Sequence, residues 1–580
     1  MLGYLFVAPS ILAACGKVRR RQTNKIVASF EEEKRERKLA QLLRKEEEDT
    51  VKLLAEKYRI PYVDLATVPV NIDALALVRE NDARAGELAV IQKVGKKLEI
   101  AVRNPETPKT REVLDGLARE RYTWDLFLVS KASLEKAWAL YPRIARRGRI
   151  ISGEVEVSSS RLHELRSRAK TLPDIARLLA GTQTKPTTDI LEMILAGALE
   201  TDASDVHLEP QAESVRLRYR LDGVLNDVAT LPTASYKFIL SRIKLISEMK
   251  LNVQTRGQDG RFTIKAEGTD IEVRTSTLPG PYGENIVLRI LNPTAIAIGF
   301  GALGMQPWIQ EAVAQELAKP NGMILTTGPT GSGKTTTLYA FLRVVHKPGI
   351  KIITLEDPIE YHLPGVEQTQ VEPEKGYDFA GGLRSIMRQD PDMILVGEIR
   401  DLETAQTAMH AALTGHLVFT TLHTNNAAGT IPRLLDLGVD PAIMAPAINV
   451  AMAQRLVRRL CSQCQKITKP SKKEAEAVQK ELAALPPSVP KPKLKTPLML
   501  PRASGCAECN GTGYKGRTGV FEIILVDDVI EKMVFQRPSE VDLKKAMREQ
   551  GQITMRQDGI LKVLAGITDL AEVERVVGAG

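Results

Sequence analysis

Aromatic residues are scarce in this chain of 580 residues, at 4% of the total. No segment interleaves them with arginine and lysine, the pattern that stacks single-stranded nucleic acid. Long apolar runs are also lacking, since no stretch reaches the ~20 apolar residues of a membrane-spanning helix. The net charge of +9 permits an anionic partner, but without the aromatic pattern no nucleic acid is expected. With 43% hydrophobic and 26% charged residues, the composition predicts a globular protein of several domains.

The N-terminal segment is apolar over residues 1–14, and basic residues follow from Lys17 onwards. A secretory signal carries its positive charge before the apolar core. Residues 12–15, Leu-Ala-Ala-Cys, resemble a lipoprotein cleavage site, but the order of charge makes export the disfavoured interpretation. An apolar flap, a peripheral membrane contact or a misassigned start codon are the alternatives.

The clearest motif lies at 323–337, MILTTGPTGSGKTTT. Its spacing satisfies G-x-x-x-x-G-K-[ST], with a strand-like run before it and helix formers after it. An ordinary glycine turn is the alternative, and these flanking elements disfavour it. The motif predicts a site for ATP and Mg²⁺, in which Lys334 reaches the phosphates and the Thr335 hydroxyl ligates the metal. The predicted nucleotide-binding residues are Gly328, Pro329, Thr330, Gly331, Ser332, Gly333, Lys334, Thr335 and Thr336.

Apolar strands alternate with helical stretches from 322 to 424, which predicts a parallel sheet with crossover helices. The predicted strands are 323–327, 351–355, 393–396 and 417–421. Ligands of such sheets bind at the carboxyl ends of the strands. We therefore expect polar side chains near these ends to converge on one site. They are Glu356 and Glu360 after the second strand, Glu398 after the third, and His416 and His423 around the fourth.

These polar residues have chemical uses and plainer alternatives. Phosphoryl transfer needs a carboxylate that holds the metal shell or polarises water. Glu398 is predicted to share the magnesium site with Thr335, and Glu360 is the predicted general base with Glu356 as its rival. Glu360 could instead be a surface carboxylate. Taken singly, His416 and His423 are more often structural histidines than functional ones.

Four of the five cysteines form two close pairs, Cys461-x-x-Cys464 and Cys506-x-x-Cys509. Two such pairs predict a closed, structural Zn²⁺ site with four thiolates. A redox role for one pair is the alternative.

The segment 465–501 between the cysteine pairs holds eight lysines and three glutamates, a net charge of +5. Its second half is rich in proline and predicts an extended, solvated arm. Such an arm is either a flexible loop or a contact for anionic lipid or an acidic partner.

Several segments together resemble one family. GPTGSGKTTT, ITLEDPIEY, RQDPDMILVGEIRD and TGHLVFTTLHTN resemble the Walker A, Asp, Walker B and His boxes of the type II secretion and type IV pilus assembly ATPases. ASDVHLEP, RLDGVL, QDGRF, GRTGVFEI and the cysteine pairs extend the resemblance. It covers residues 186–580 strongly and 38–143 weakly.

The resemblance implies an α/β fold: a RecA-like P-loop ATPase domain with a zinc-knuckle insertion, preceded by a PAS-like domain and a small N-terminal α/β domain. The predicted boundaries are 1–30 for an apolar and then basic segment, 31–143 for the N-terminal domain, 144–185 for a linker, 186–297 for the PAS-like domain, and 298–580 for the ATPase domain with zinc-binding residues 455–515.

The resemblance also implies a homohexamer that hydrolyses Mg-ATP to power assembly of pilins or pseudopilins. It would be cytoplasmic, at the inner membrane, and would act with a platform protein there. Arginines of the second domain would reach the phosphates, and Arg220, Arg261 and Arg274 fit that role. Cyclic di-GMP is not expected, because the Arg-Leu-Gly opening of its binding repeat is absent from 38–65. A DNA-translocating or helicase-like ring is the alternative function.

Overall fold

A computed structural model describes residues 46–65, 68, 70–141, 154–157, 162–163, 171–180, 187–292, 298–492, 494 and 496–578. The predictions for the apolar segment 1–30 and for most of the linker 144–185 lie outside the described residues. The chain divides into two compact units. The first comprises Met1–Val155, Lys237–Thr263 and Ser276–Pro279, and the second comprises Glu156–Tyr236, Ile264–Thr275 and Gly280–Gly580. The domain boundaries drawn from the sequence remain predictions.

The N-terminal part of the first unit is a small α/β domain. Residues 46–58 are helical, and the elements that follow are helices Ile72–Leu75 and Glu80–Ala85, strands β1 Leu88–Val94 and β2 Lys97–Val102, helix Pro108–Arg119, strand β3 Thr123–Leu128 and helix Lys131–Trp138. Strand β2 pairs antiparallel with β1 and parallel with β3. Thr107 and Ser130 cap the two longer helices through their side-chain oxygens, as residues at N-caps commonly do.

The middle of the chain is also α/β. Its elements are strand β4 Glu154–Val157, helices Leu172–Ala180 and Thr187–Glu200, strands β5 Asp205–Pro210, β6 Ser214–Leu221 and β7 Val224–Pro232, helix Thr233–Ile246, and strands β8 Gln258–Ala266, β9 Thr269–Gly280 and β10 Gly283–Leu291. Within the second unit, β10, β5, β6 and β7 pair antiparallel in that order. Burial alternates along β6, so one face of the strand is apolar and buried while the other is polar.

The ATPase domain contains a seven-stranded sheet. Its strands are β11 Gly322–Thr327, β12 Ile352–Glu356, β13 Glu367–Gln370, β14 Met393–Val396, β15 Leu417–Leu422, β16 Ile448–Leu460 and, after two short strands, β19 Tyr514–Leu525. The spatial order is β13-β12-β14-β15-β11-β16-β19. All neighbours are parallel except β16 and β19. The predicted parallel sheet is therefore confirmed, with each predicted strand displaced by at most one residue at either end.

Helices cover both faces of this sheet. They are Pro307–Leu317, Lys334–Val345, Phe379–Ile386, Leu402–Leu413, Thr430–Asp436, Pro441–Ala447, Asp528–Phe535, Glu540–Glu549, Met555–Leu564 and Leu570–Val577. Every residue of β11 is buried. Met323 and Leu325 pack into the apolar core on one face, and Ile324 packs into the core on the other. A run that is apolar at every position is what a strand covered on both faces requires.

The segment between the cysteine pairs is structured in its first half, whereas the described residues of its proline-rich second half, from 484 to 499, form neither helix nor strand. It contains the short antiparallel strands β17 Lys466–Thr468 and β18 Leu500–Arg502 and the helix Lys472–Ala483. Its apolar side chains Val478, Leu485, Val489 and Leu500 are buried. Most described side chains of the proline-rich half are exposed, but Leu485, Val489 and Leu500 pack into apolar cores, which composition does not show.

Among the described residues, no helix combines the length and the apolar character needed to cross a bilayer.

Candidate active site

The phosphate loop connects β11 to the helix Lys334–Val345. Gly328, Gly331 and Gly333 have φ angles of 148°, 78° and 89°, a region that favours glycine. A Cβ at Gly328 would lie 2.6 Å from the Gln454 carbonyl oxygen. Glycine at 328 is therefore required both by the backbone conformation and by the close approach of β16.

The residues of this loop fit a bound phosphate. The Ser332 hydroxyl oxygen is buried and has no hydrogen-bond partner among the described residues. Gly333 is the N-cap of the helix that follows, and it has no side chain to cap the first amides. A helix N-terminus of this kind attracts an anion.

Lys334 begins this helix and folds back over the loop. Its Nζ donates to the Gly328 carbonyl oxygen at 2.7 Å and to that of Pro329 at 3.3 Å. Burial lowers the pKa of the Lys334 ammonium, and the nearby Glu398 opposes this shift. The ammonium is thus held against the loop by hydrogen bonds rather than by a close ion pair.

Glu398 follows β14 directly. Its Oε1 accepts a hydrogen bond from Arg400, and its Oε2 lies 3.2 Å from His423 Nε2. Burial alone would raise the pKa of Glu398, but Arg400 and His423 outweigh burial and hold it below its ordinary value. Glu398 and Thr335 line the same cleft. A carboxylate and a hydroxyl are the hard oxygen donors that Mg²⁺ prefers, so these residues fit the metal.

The two candidate bases have different surroundings. Glu356 is 4% exposed, and both its oxygens accept hydrogen bonds, from Tyr339 at 2.5 Å and from Thr354 at 2.6 Å and Gln368 at 3.1 Å. These three donors fix the Glu356 carboxylate in the buried end of the strand. Glu360 Oε2 instead accepts a hydrogen bond from Arg274 Nη1 at 3.0 Å.

One cleft of about 630 Å³ contains most of these groups, a size that suits a small-molecule ligand. Of the residues predicted from sequence, its lining contains Thr330, Gly331, Gly333, Lys334, Thr335, Thr336, Glu356, Glu360, Glu398, His423 and Arg220. Arg289 and Arg517, which sequence reasoning missed, also line it. Arg274 donates to Glu360 and to the Ile359 carbonyl oxygen. Arg261 is exposed on β8, in the first unit.

The pKa of the Tyr361 phenol depends on several of these charged groups. Burial and Glu360 raise the pKa of Tyr361, while Arg274, Arg517 and Arg289 act in the opposite direction. Three arginines thus lie near one tyrosine of the cleft.

His416 does not line this cleft, contrary to the expected convergence of the polar residues, and its catalytic role stays a prediction. It precedes β15, and its carbonyl oxygen accepts a hydrogen bond from Gly322 N, at the start of β11. His416 Nδ1 lies 2.9 Å from the Ala411 carbonyl oxygen, at the end of the preceding helix. A strand of six residues spans about 20 Å, so His416 lies at the opposite end of the sheet from the phosphate loop.

The four paired cysteines form a separate cluster. Their Sγ atoms lie within 4.8 Å of one another, and the distances Cys461–Cys506, Cys464–Cys509 and Cys506–Cys509 are 3.8, 3.8 and 3.7 Å. Tetrahedral Zn²⁺ with Zn–S bonds of about 2.3 Å requires sulfur separations of about 3.8 Å. The cluster therefore fits zinc.

Backbone amides support one of these thiols as a ligand. Cys506 N and Gly513 N each lie 3.2 Å from Cys509 Sγ. Burial would raise the pKa of Cys509, but these amides together with the thiols of Cys506 and Cys464 outweigh it and lower the pKa to about 7. Amides that stabilise a thiolate are characteristic of the surroundings of metal ligands.

Comparison with known proteins agrees with this geometry. The family described as Type II/IV secretion system protein matches residues 181–575. The chain belongs to this family. The ATPase predicted from the four boxes is confirmed, and the DNA-translocating alternative is not favoured.

Named relatives of this secretion-family ATPase come from both kinds of machine. This chain is 39% identical over 457 residues to the Type II secretion system ATPase E of Vibrio cholerae, and the alignment covers 79% of this chain and 88% of the relative. It is 43% identical over 413 residues to the Type II secretion system protein E of Klebsiella pneumoniae, covering 71% and 80%. It is 34% identical over 538 residues to the Type IV pilus assembly ATPase PilB of Myxococcus xanthus, covering 91% of each.

The roles of Glu360 and Glu398 can be separated from nucleotide binding. We expect Glu360→Gln and Glu398→Gln each to lower kcat about a hundredfold, as loss of a proton acceptor or metal contact does, while the Kd for ADP changes less than threefold. Steady-state hydrolysis and fluorescent ADP titration measure the two quantities. Glu372→Gln, at an exposed glutamate that pairs with Lys375, is the matched control. Poor ADP binding combined with a normal kcat in both variants would show that these roles are misassigned.

Proposed function

We propose that this chain is a motor that hydrolyses Mg-ATP to drive assembly of pilins or pseudopilins at the inner membrane. The observation that carries the proposal is one cleft lined by the phosphate loop, by Glu398 and Glu360, and by Arg220, Arg289 and Arg517. Phosphoryl transfer needs little beyond positioning and neutralisation of charge, and these residues supply both. The Vibrio cholerae and Myxococcus xanthus relatives, named for secretion and pilus assembly, support the type of work.

Each group has a role in this proposal. The loop amides, Lys334 and the arginines bind the phosphates. Thr335 and Glu398 hold Mg²⁺, which when bound neutralises charge on the phosphates. Glu360 accepts the proton of the attacking water, and its contact with Arg274 keeps the carboxylate oriented. His423, at 3.2 Å from Glu398, orients the metal-site carboxylate. The four cysteines hold a structural Zn²⁺.

The working state in this proposal is a cytoplasmic homohexamer docked on a platform protein of the membrane. Exposed lysines between the cysteine pairs, among them Lys466, Lys469 and Lys472, would face anionic lipid headgroups. Each cation near such a surface contributes about 1 kcal/mol of attraction, so several together suffice for a peripheral contact.

The assembly and its purpose are tested together. We expect light scattering of the purified chain with a slowly hydrolysed ATP analogue to give the mass of six chains. A strain that lacks the gene should lose either surface pili or secretion of its export substrates. Wild-type chain should restore that activity and a Lys334→Ala chain should not. A monomer at all concentrations with nucleotide, or ATPase activity that depends on added DNA, would count against the proposal.

A further inference from the structure

Three charged residues form a row across neighbouring strands of the second unit. The strand register pairs Arg289 of β10 with Asp205 of β5, and Asp205 with Arg220 of β6. Residues paired in this way have side chains on the same face of a sheet, close enough to interact. The row therefore places one carboxylate between two guanidinium groups.

Asp205 contacts both arginines. Its Oδ2 accepts a hydrogen bond from Arg220 Nε at 3.0 Å, and its Oδ1 accepts one from Arg289 Nε at 3.1 Å. Ser204 donates a further hydrogen bond to Oδ2 at 2.8 Å. The Asp205 side chain is 6% exposed, whereas those of Arg220 and Arg289 are 32% and 55% exposed. The carboxylate is thus the buried and fixed member of the row.

Each guanidinium has five N–H donors, and the contacts of the two arginines use only part of them. Both are bound to Asp205 through Nε, so the Nη groups lie beyond the salt bridge. Arg220 Nη1 also donates to the Gly223 carbonyl oxygen at 3.2 Å, and Arg220 Nη2 lies 3.4 Å from His207 Nε2. For Arg289, no hydrogen bond of Nη1 or Nη2 is found among the described residues. All three residues of the row line the cleft that contains Lys334 and Glu398.

We propose that Asp205 is a positioning residue that holds Arg220 and Arg289 as a pair of fixed cations for the nucleotide phosphates. The proposal rests on the proposed binding of ATP in this cleft. A guanidinium held by one nitrogen loses less conformational freedom on binding an anion than a mobile one does. One carboxylate and two guanidinium groups also give the row a net charge of about +1, so the row attracts an anionic ligand.

A purely structural role is the competing explanation, because a buried carboxylate between three strands also ties the sheet together. The two explanations differ in their dependence on the ligand. ATP carries one more negative charge than ADP, so fixed cations should favour a triphosphate over a diphosphate. A structural tie would affect both nucleotides alike and would lower the unfolding midpoint.

The test compares Asp205→Asn with wild type in the full-length chain. We expect kcat to fall about tenfold and affinity for a slowly hydrolysed ATP analogue to fall about fivefold. The Kd for ADP should stay within twofold, and so the preference for the triphosphate should shrink. Asp227→Asn is the matched control, because Asp227 of β7 forms a salt bridge with Arg216 of β6 and does not line the cleft. It should leave all three quantities unchanged.

A double-mutant comparison settles whether Asp205 acts through the arginines. In an Arg220→Ala, Arg289→Ala background, Asp205→Asn should change affinity for the analogue less than twofold. The proposal is overturned if Asp205→Asn has the wild-type kcat, if both nucleotides lose affinity equally, or if its effect persists in that background. If the wild-type chain had no ATPase activity, that result would contradict the proposed function instead. The Lys334→Ala variant tests the proposed function separately.

Discussion

Replacement of Lys334 by alanine should abolish ATP hydrolysis while the ATPase domain stays folded. Among the residues that the structure describes, its ammonium donates to the carbonyl oxygens of Gly328 and Pro329, and its side chain belongs to neither apolar core of the sheet. A cation next to the transferred phosphoryl group can contribute a factor on the order of a thousand to the rate. We therefore expect at least that loss in phosphate release, with an unchanged circular dichroism spectrum.

Lys375→Ala provides the control for Lys334→Ala. Lys375 is a lysine of the same domain whose exposed side chain pairs with Glu372, so this variant should hydrolyse ATP at the wild-type rate. Normal turnover by the Lys334→Ala chain would refute the assignment of this loop to hydrolysis. Equal losses in both variants would show that the assay responds to general damage.

Removal of zinc should loosen the cysteine cluster without affecting the phosphate loop. A Cys₄ site holds its metal tightly, and the binding energy appears as local folding energy. We expect about one Zn²⁺ per purified chain, and we expect Cys464→Ser to abolish it. Limited proteolysis of that variant should then cut near 462–465 and 503–513, while ADP binding stays within twofold of wild type.

The packing of residues 465–501, between the cysteine pairs, limits where the protease should cut. Because Val478, Leu485 and Leu500 are buried, the helix Lys472–Ala483 should stay protected when the cysteines are freed. Cys15→Ser is the control, since Cys15 belongs to neither pair. Absence of zinc from the native chain, with all four thiols open to alkylation, would overturn the metal site and favour a redox role.

The sequence alone predicted the parallel sheet, the phosphate loop and the cysteine cluster. All three depend on local patterns, such as a buried strand that is apolar at every position, glycines that set a loop, and cysteines spaced to meet at one metal. The expected convergence of His416 and His423 on one site was wrong, because the six residues of β15 lie between them and place them at opposite ends of that strand. For the proline-rich half of the segment between the cysteine pairs, composition did not show that Leu485, Val489 and Leu500 pack into apolar cores.

The register of the strands, which the sequence does not show, decided which charged side chains lie together. Arg289 alternates with buried Leu288 and Ile290 on β10, and nothing in that pattern distinguishes it from an ordinary exposed arginine. Only the pairing of β10, β5 and β6 places it beside Asp205 and Arg220. Likewise, Glu356 and Glu360 are alike as carboxylates near one strand end, and only their partners separate them. Local chemistry thus lies in the sequence, whereas the tertiary structure determines which charges share a site, because the salt bridges of Asp205 join three different strands.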